Sequence, residues 1–302
     1  MLAGSLLNTS KNLPIVKELR NNLHKSPVLR WVVQHAVYHN ELKLLEGRQK
    51  SKSTSPSIVH FTVRKAASQY VKRILYRCAA DSGLTPINFD GYSFHSSFPY
   101  LGDMAEAEFA QYAYIFQPAG YCYTPFTGLM RRIPNLEQMR KILVVRDPRD
   151  VLTSDYFSLA RSHVLPGDPE DAERFLRNRT RVNEMSLDEF AMGEKDKLLA
   201  FYDDYVKALT DYPGLCVTKY EDLVTNFEHW FNTVETFCQF KVSEKTRRSL
   251  IEEAVQPART ENSQNKRRQV TPGDHRQKLQ PQTIDTLNQT FAAVLDAFGY
   301  DR

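Results

Sequence analysis

Arg146 and Ser154 stand eight residues apart where an apolar run turns to charge, in KILVVRDPRDVLTSDYFS at 141–158. A guanidinium and a hydroxyl at that spacing can hold one phosphate, the first through charge-assisted hydrogen bonds. A second stretch, RKAAS at 64–68, brings a mobile cation, Lys65, beside small residues whose backbone N–H groups can approach an anion closely. A third, QNKRRQVTPGDHRQKL at 264–279, carries five Lys or Arg around a Pro-Gly-Asp turn, which suits a basic loop closing over an anion. Each has a plainer reading. The arginines at 146 and 149 can pair with Asp147 and Asp150, RKAAS can be an ordinary turn with a surface lysine, and the late charge run can be a solvated face.

The elements around these residues predict an α/β fold with a central parallel sheet flanked by helices. Ile142–Val145 is a strand of the buried kind, and Pro148, capped by Asp147, starts a helix with Val151, Leu152, Asp155, Tyr156 and Leu159 at helical spacing. Ile58–Val63 is a second strand, followed by a helix over 68–81 with Tyr70, Val71, Ile74, Leu75, Cys78 and Ala79 on one face. Both charged stretches therefore fall at carboxyl ends of strands, where α/β sheets bind ligands. Thr85–Pro125 is dense in Phe and Tyr without a long period and predicts loops and short elements that wall a pocket, although core packing absorbs aromatics equally well. Residues 136–139 suggest a helix, 161–195 a charged surface lobe, 214–220 a buried strand, 227–237 and 245–255 two helices, and 284–298 a terminal helix.

The 302 residues, 41% hydrophobic and 25% charged, fit one soluble domain, 58–302, preceded by an N-terminal helical arm and linker, 1–57. No apolar run reaches the length of a membrane span. A net charge of +4 suggests local anion binding rather than a nucleic-acid coat. Cys78, Cys122, Cys216 and Cys238 lack metal spacing and are expected as buried free thiols; with no secretory leader pattern at the start, the expected location is cytoplasmic. The arm, basic between its apolar positions, is expected to pack on the domain or on a second subunit as a homodimer element, with a membrane surface the less common alternative.

Taken together, these stretches resemble the sulfotransferases that use 3′-phosphoadenosine 5′-phosphosulfate. The resemblance spans roughly 58–300 and is carried by the motifs. Arg64, Lys65, Ala66, Ala67, Ser68, Gln69 and Tyr70 are similar to that family's phosphosulfate loop, a P-loop-like turn, with Ala66 and Ala67 in place of a usual Ser-Gly and Gln69 in place of Thr. Arg146 and Ser154 match its 3′-phosphate motif in residue and spacing. Tyr220 resembles its tyrosine near the adenine, and Arg268 with Gly273 and Asp274 its late basic loop, where His275 replaces Trp. The resemblance implies sulfuryl transfer to a hydroxyl or amine of a small-molecule, lipid or carbohydrate acceptor. It implies Lys65 as the leaving-group cation, Tyr70 as a stack for adenine, and no metal.

The base is not fixed by the motifs. The KTHxP-like histidine of cytosolic members has no counterpart in YCYTP at 121–125, and an acidic base about twenty residues past the loop lysine points to INFDGYSFH, hence to Asp90 and His95. Two alternatives stay open: a P-loop nucleotide kinase, which the missing glycines of GxxxxGK[ST] disfavour, and a nucleotide-binding scaffold without catalysis.

Overall fold

The computed structural model describes residues 26–48, 51–162, 164–255 and 272–302. Arg268 and the start of the arm lie outside them. The chain opens with helices α1 (Pro27–Val37) and α2 (His39–Leu45). Strand β1 (Ile58–Thr62) leads into α3 (Ser68–Asp81), then β2 (Thr85–Ile87), α4 (Phe89–Phe94), α5 (Glu106–Ala110) and β3 (Tyr121–Thr127). Next come β4 (Arg140–Val145), α6 (Pro148–Phe157), α7 (Pro169–Asn183) and the long α8 (Leu187–Asp211). The chain ends with β5 (Cys216–Lys219), α9 (Tyr220–Thr225), α10 (Phe227–Cys238), α11 (Glu244–Val255), α12 (His275–Lys278), α13 (Pro281–Thr290) and α14 (Ala292–Phe298).

The five strands form one sheet in the order β2-β3-β1-β4-β5, every pair parallel. The first strand in sequence is central because its five residues are buried on both faces, which only a strand covered by helices on both sides can satisfy. Thr62 at its end registers with Thr127 of β3 and Val144 of β4, so the chain leaves all three strands at one edge. Sequence order reverses there, and the crevice outside those carboxyl ends is where such sheets bind ligands.

Four stretches differ from expectation. The aromatic stretch contains two strands, and Phe89, Tyr92, Phe109, Phe116, Tyr121 and Tyr123 are buried in the core instead of walling a cavity. Strand β3 escapes recognition because it contains Pro125, which cannot donate to a ladder. It is accommodated by a bulge: β3 registers Tyr123 with Val59 and Phe126 with Phe61, so Thr124 and Pro125 together oppose His60. The His60 ring, buried and held neutral by burial that pushes its pKa down to about 3, meets Thr124 Oγ1 at 2.7 Å through Nδ1. The 136–139 stretch is a single 3₁₀ turn, Leu136–Gln138, and the terminal helix is two, broken at buried Phe291. Strand β5 is half-buried and stops at Lys219; Tyr220 begins a helix. Cys78, Cys122 and Cys238 are buried free thiols, while Cys216 is only partly covered.

The arm packs on the domain: Tyr38, Glu41 and Leu44 are buried. The Glu41 carboxylate accepts the Asn88 N–H at 2.6 Å, and burial pushes its pKa up to about 7. Among the described residues no helix is long and apolar enough to cross a membrane.

Candidate active site

The loop from Val63 to Ala67 turns without a glycine. Lys65 and Ala67 take its left-handed positions at φ 66 and 56, a region that costs an L-residue about 1–2 kcal/mol. Ala67 is also the N-cap of α3 and offers no side-chain cap; the Tyr70 N–H turns back to the Ala67 carbonyl at 2.7 Å, while the Ser68 and Gln69 amides precede any helical carbonyl that could take them. Ala66 is fully buried, Ser68 half-buried and Gln69 exposed. Tyr70 lies against Phe227 at the start of α10, ring centroids 6.4 Å apart, with the Arg73 guanidinium 5.2 Å from its ring.

From the neighbouring strand, Arg146 reaches this loop. Its Nη1 donates to the Lys65 carbonyl at 2.7 Å, and its guanidinium stacks 4.2 Å from the Tyr220 ring. Arg146 is 5% exposed and its Nε has no hydrogen-bond partner. The carboxylates around it make their hydrogen bonds to other groups, although the Arg146 charge still favours the ionised forms of Asp150 and Glu221. Asp147 caps α6 through the Arg149 N–H and grips the Arg149 guanidinium at 2.9 and 2.6 Å. Asp150 accepts the N–H groups of Gly273 (2.7 Å) and His275 (2.9 Å) and the His275 ring at 2.6 Å, contacts that hold its pKa down to about 2 against burial, which works to raise it. Glu221 accepts the Asp147 N–H and the Tyr300 hydroxyl. The ordinary pairing of arginines with Asp147 and Asp150 therefore holds for Arg149 alone. Arg146 is a buried cation that hydrogen-bonds a carbonyl and feels Asp150 and Glu221 only through space, which leaves its guanidinium able to take a directly bonded anion.

Arg64 extends the same surface. Its Nε is 3.0 Å from Asp155 Oδ2, an ionic contact off hydrogen-bond alignment, and Nε and Nη2 have no hydrogen-bond partner. Asp155 adjoins Ser154, half-buried in the second turn of α6. Gly273, at φ 84, turns the chain so that its amide meets Asp150 at the start of α6. The structure thus brings Arg64, Lys65, Arg146, Ser154, Tyr220 and Gly273 to one edge of the sheet.

Asp90 lies across that edge. Its carboxylate accepts the Thr127 N–H at 2.7 Å, and Thr127 registers with Thr62 immediately before the loop. Burial, more than these hydrogen bonds can offset, pushes its pKa up to about 7, with Asp103 adding to the rise. His95 is placed differently: Nδ1 is 2.8 Å from both the Gly91 carbonyl and the Tyr38 hydroxyl, which ties it to its own helix and to the arm. Two further residues, Tyr202 and Tyr205, brace the site from α8. The Tyr202 hydroxyl donates to the Arg146 carbonyl, and Tyr205 donates to the Thr62 carbonyl at 2.9 Å and accepts the Gly128 N–H at 3.1 Å. In the sequence they are two aromatics on a flanking helix; their i, i+3 spacing, with a hydroxyl each among apolar neighbours, is the one signal they give. Among the described residues no group of three His, Cys, Asp or Glu has the arrangement of a metal site.

A family model described as "Sulfotransferase domain" matches residues 125–299. That span includes Arg146, Ser154, Tyr220 and Gly273 and begins after the loop at 63–70. Among solved structures, the chain is similar to a mouse sulfotransferase, SULT7A1, complexed with PAP, at 11% identity and a TM-score of 0.52, covering 85% of this chain and 89% of that one. It is also similar to retinol dehydratase in complex with androsterone and inactive cofactor PAP, at 14% identity and a TM-score of 0.50, covering 79% and 80%. At these identities the likeness is one of fold. No curated protein matches the sequence.

Proposed function

The chain belongs to the sulfotransferase domain family, and from that premise we propose that its site takes 3′-phosphoadenosine 5′-phosphosulfate as donor, with 3′,5′-adenosine bisphosphate as product. The observation that carries this reading is Arg146, a buried guanidinium hydrogen-bonded to the carbonyl of Lys65 while the neighbouring acids are engaged by other groups. One residue thereby joins the strand end expected to hold the 3′-phosphate to the loop expected to hold the phosphosulfate.

When bound, the donor supplies an activated sulfuryl group with a phosphate as leaving group. The chain's residues have three tasks. Lys65, with the amides from Ala67 to Gln69 and the Ser68 hydroxyl, neutralises charge growing on the leaving phosphate; the Ala66 and Tyr70 amides are spent on the Val63 and Ala67 carbonyls. Arg146 and Ser154, with Arg268 from beyond the described residues, fix the 3′-phosphate; Gly273, its amide given to Asp150, shapes the loop beside them, and Tyr220 and Tyr70 flank the adenine. Asp90, with its pKa near 7, takes the acceptor proton, because a carboxylate desolvated to that value is basic enough to assist a hydroxyl and still ionised in part at neutral pH. His95 is the weaker base of the pair, since its ring is held by Tyr38 and Gly91. The acceptor is a hydroxyl or amine of a small molecule, lipid or carbohydrate. Residues 58–302 form the catalytic domain, with 1–57 as arm and linker.

Thermal unfolding with 3′,5′-adenosine bisphosphate, against ATP and 5′-AMP, tests the donor assignment. At a hundred times its Kd the bisphosphate adds about 2.7 kcal/mol, a shift of several degrees, and the shift should vanish in Arg146→Ala. Stabilisation by ATP alone would replace this reading with the kinase alternative.

A further inference from the structure

Helix α1 has a sharp start, with Ser26 capping through the Leu29 N–H at 3.3 Å and Pro27 in its first turn. Val28, Trp31, Val32 and His35 recur along it at i, i+3, i+4 and i+7, which places them on one face. That face is open: Val28 is 70% exposed, Trp31 59% and Val32 39%. The Trp31 ring leans on His35 at 4.3 Å between centroids, leaving the indole at the surface. The hold on the domain comes from the other end, through Tyr38, Glu41 and Leu44.

Charge is concentrated in the same segment. Residues 1–40 contain Lys11, Lys17, Arg20, Lys25 and Arg30 against Glu18 alone, a net +4 equal to that of the whole chain, so residues 41–302 are balanced. A helix with an exposed Trp-Val face inside a cationic segment is complementary to an anionic lipid surface, where the apolar face enters the acyl boundary, the indole sits at headgroup depth and the cations meet the lipid charge. A second copy of the chain fits less well, because a two-fold contact through α1 sets two +4 arms against each other.

We propose that α1 lies in the plane of an anionic bilayer surface, with Val28, Trp31 and Val32 inserted, and holds the catalytic domain against the membrane. The inference is independent of the donor and acceptor assignments.

The chain has two tryptophans, and Trp230 is 1% exposed, so a change in indole emission on adding lipid reports Trp31. Full-length protein mixed with phosphatidylserine–phosphatidylcholine vesicles should co-sediment and shift its emission to the blue, with binding weakened by salt. Trp31→Ala should weaken binding about tenfold or more, and Arg30→Gln about fivefold. An unchanged melting temperature in Trp31→Ala confirms that its fold is intact. Absence of binding to the anionic vesicles, equal binding to pure phosphatidylcholine, or undiminished binding by Trp31→Ala would each overturn the proposal. A blue shift that grows with protein concentration without lipid would do so as well, by assigning the face to a second copy.

Discussion

Arg146 and Asp90 both stand at the carboxyl edge of the sheet, on opposite sides of the loop at 63–67, and the protein handles their charges in opposite ways. Arg146 keeps its charge in the interior, held by the Lys65 carbonyl and the Tyr220 ring, with Tyr202 bracing its own carbonyl. Asp90 is desolvated until ionisation itself becomes marginal, with the Thr127 amide in compensation. A site that must bind an anion needs a permanent cation installed before the ligand arrives. A site that must accept a proton needs a group close to balance between its two forms. Under the proposed function, the Arg146 side is thus a fixed electrostatic frame for the donor, and the Asp90 side a titrating one for the acceptor.

The sharpest way to break that contrast is to remove the frame. Lys65→Ala and Arg146→Ala should each lower turnover by about a hundredfold to a thousandfold, measured as sulfate transfer at saturating acceptor, and Arg146→Ala should also abolish the thermal shift with bisphosphate. Arg149→Met separates structure from binding. Arg149 is 1% exposed and holds Asp147, Asn288 and the Asp301 carbonyl, so its loss strands a buried carboxylate and should cost about 3–5 kcal/mol in denaturant unfolding. The protein that still folds should bind bisphosphate almost normally. Equal binding losses at 146 and 149 would erase the distinction between them.

The titrating side is tested through pH. With a folded pKa raised to about 7, Asp90 is protonated below that value, so activity should fall as pH drops through 7, and Asp90→Asn should remove that limb together with most of the rate. Stability moves the other way. A carboxyl whose folded pKa lies above its unfolded one stabilises the fold most below about pH 4, and that contribution is lost as pH rises through 7. Asn, which can still accept the Thr127 N–H, should therefore gain stability relative to Asp between those limits, read as a widening gap in melting temperature. A His95→Gln variant that alone loses the pH limb would transfer the role of base to His95. The smallest effect is expected at Ala67, where φ is 56: Ala67→Gly should stabilise by up to about 1 kcal/mol, relief of the left-handed strain being partly offset by the entropy of glycine.

The same contrast explains what was legible in the sequence. The donor side is local: a β-branched run, a charged tip and a helix start lie within eighteen residues, and the capping by Asp147 follows from residue types alone. That Arg149 rather than Arg146 takes Asp147 is not local, because Asn288 and the Asp301 carbonyl decide it from the far end of the chain. Tyr202 and Tyr205 are hidden for the same reason. The Asp90 side is hidden because β3 carries a proline in a sheet interior, a position that ladder arithmetic disfavours and a two-against-one bulge permits. Tyr121 and Tyr123 then alternate as strand residues packed in the core, although an aromatic run without period fits a pocket wall equally well in the sequence.

Strand β1 is synthesised before both of its neighbours, and its register with β3 and β4 joins Ile58 to Cys122 and to Arg140. The central strand must therefore wait, unpaired, until distant chain is available, a high-contact-order arrangement that folds slowly. The contact between Arg146 and Lys65 spans the same gap and can form only after β4 has docked. If the proposed donor assignment holds, acquisition of bisphosphate binding during refolding is a clock for completion of the sheet, and it should lag behind recovery of helical content.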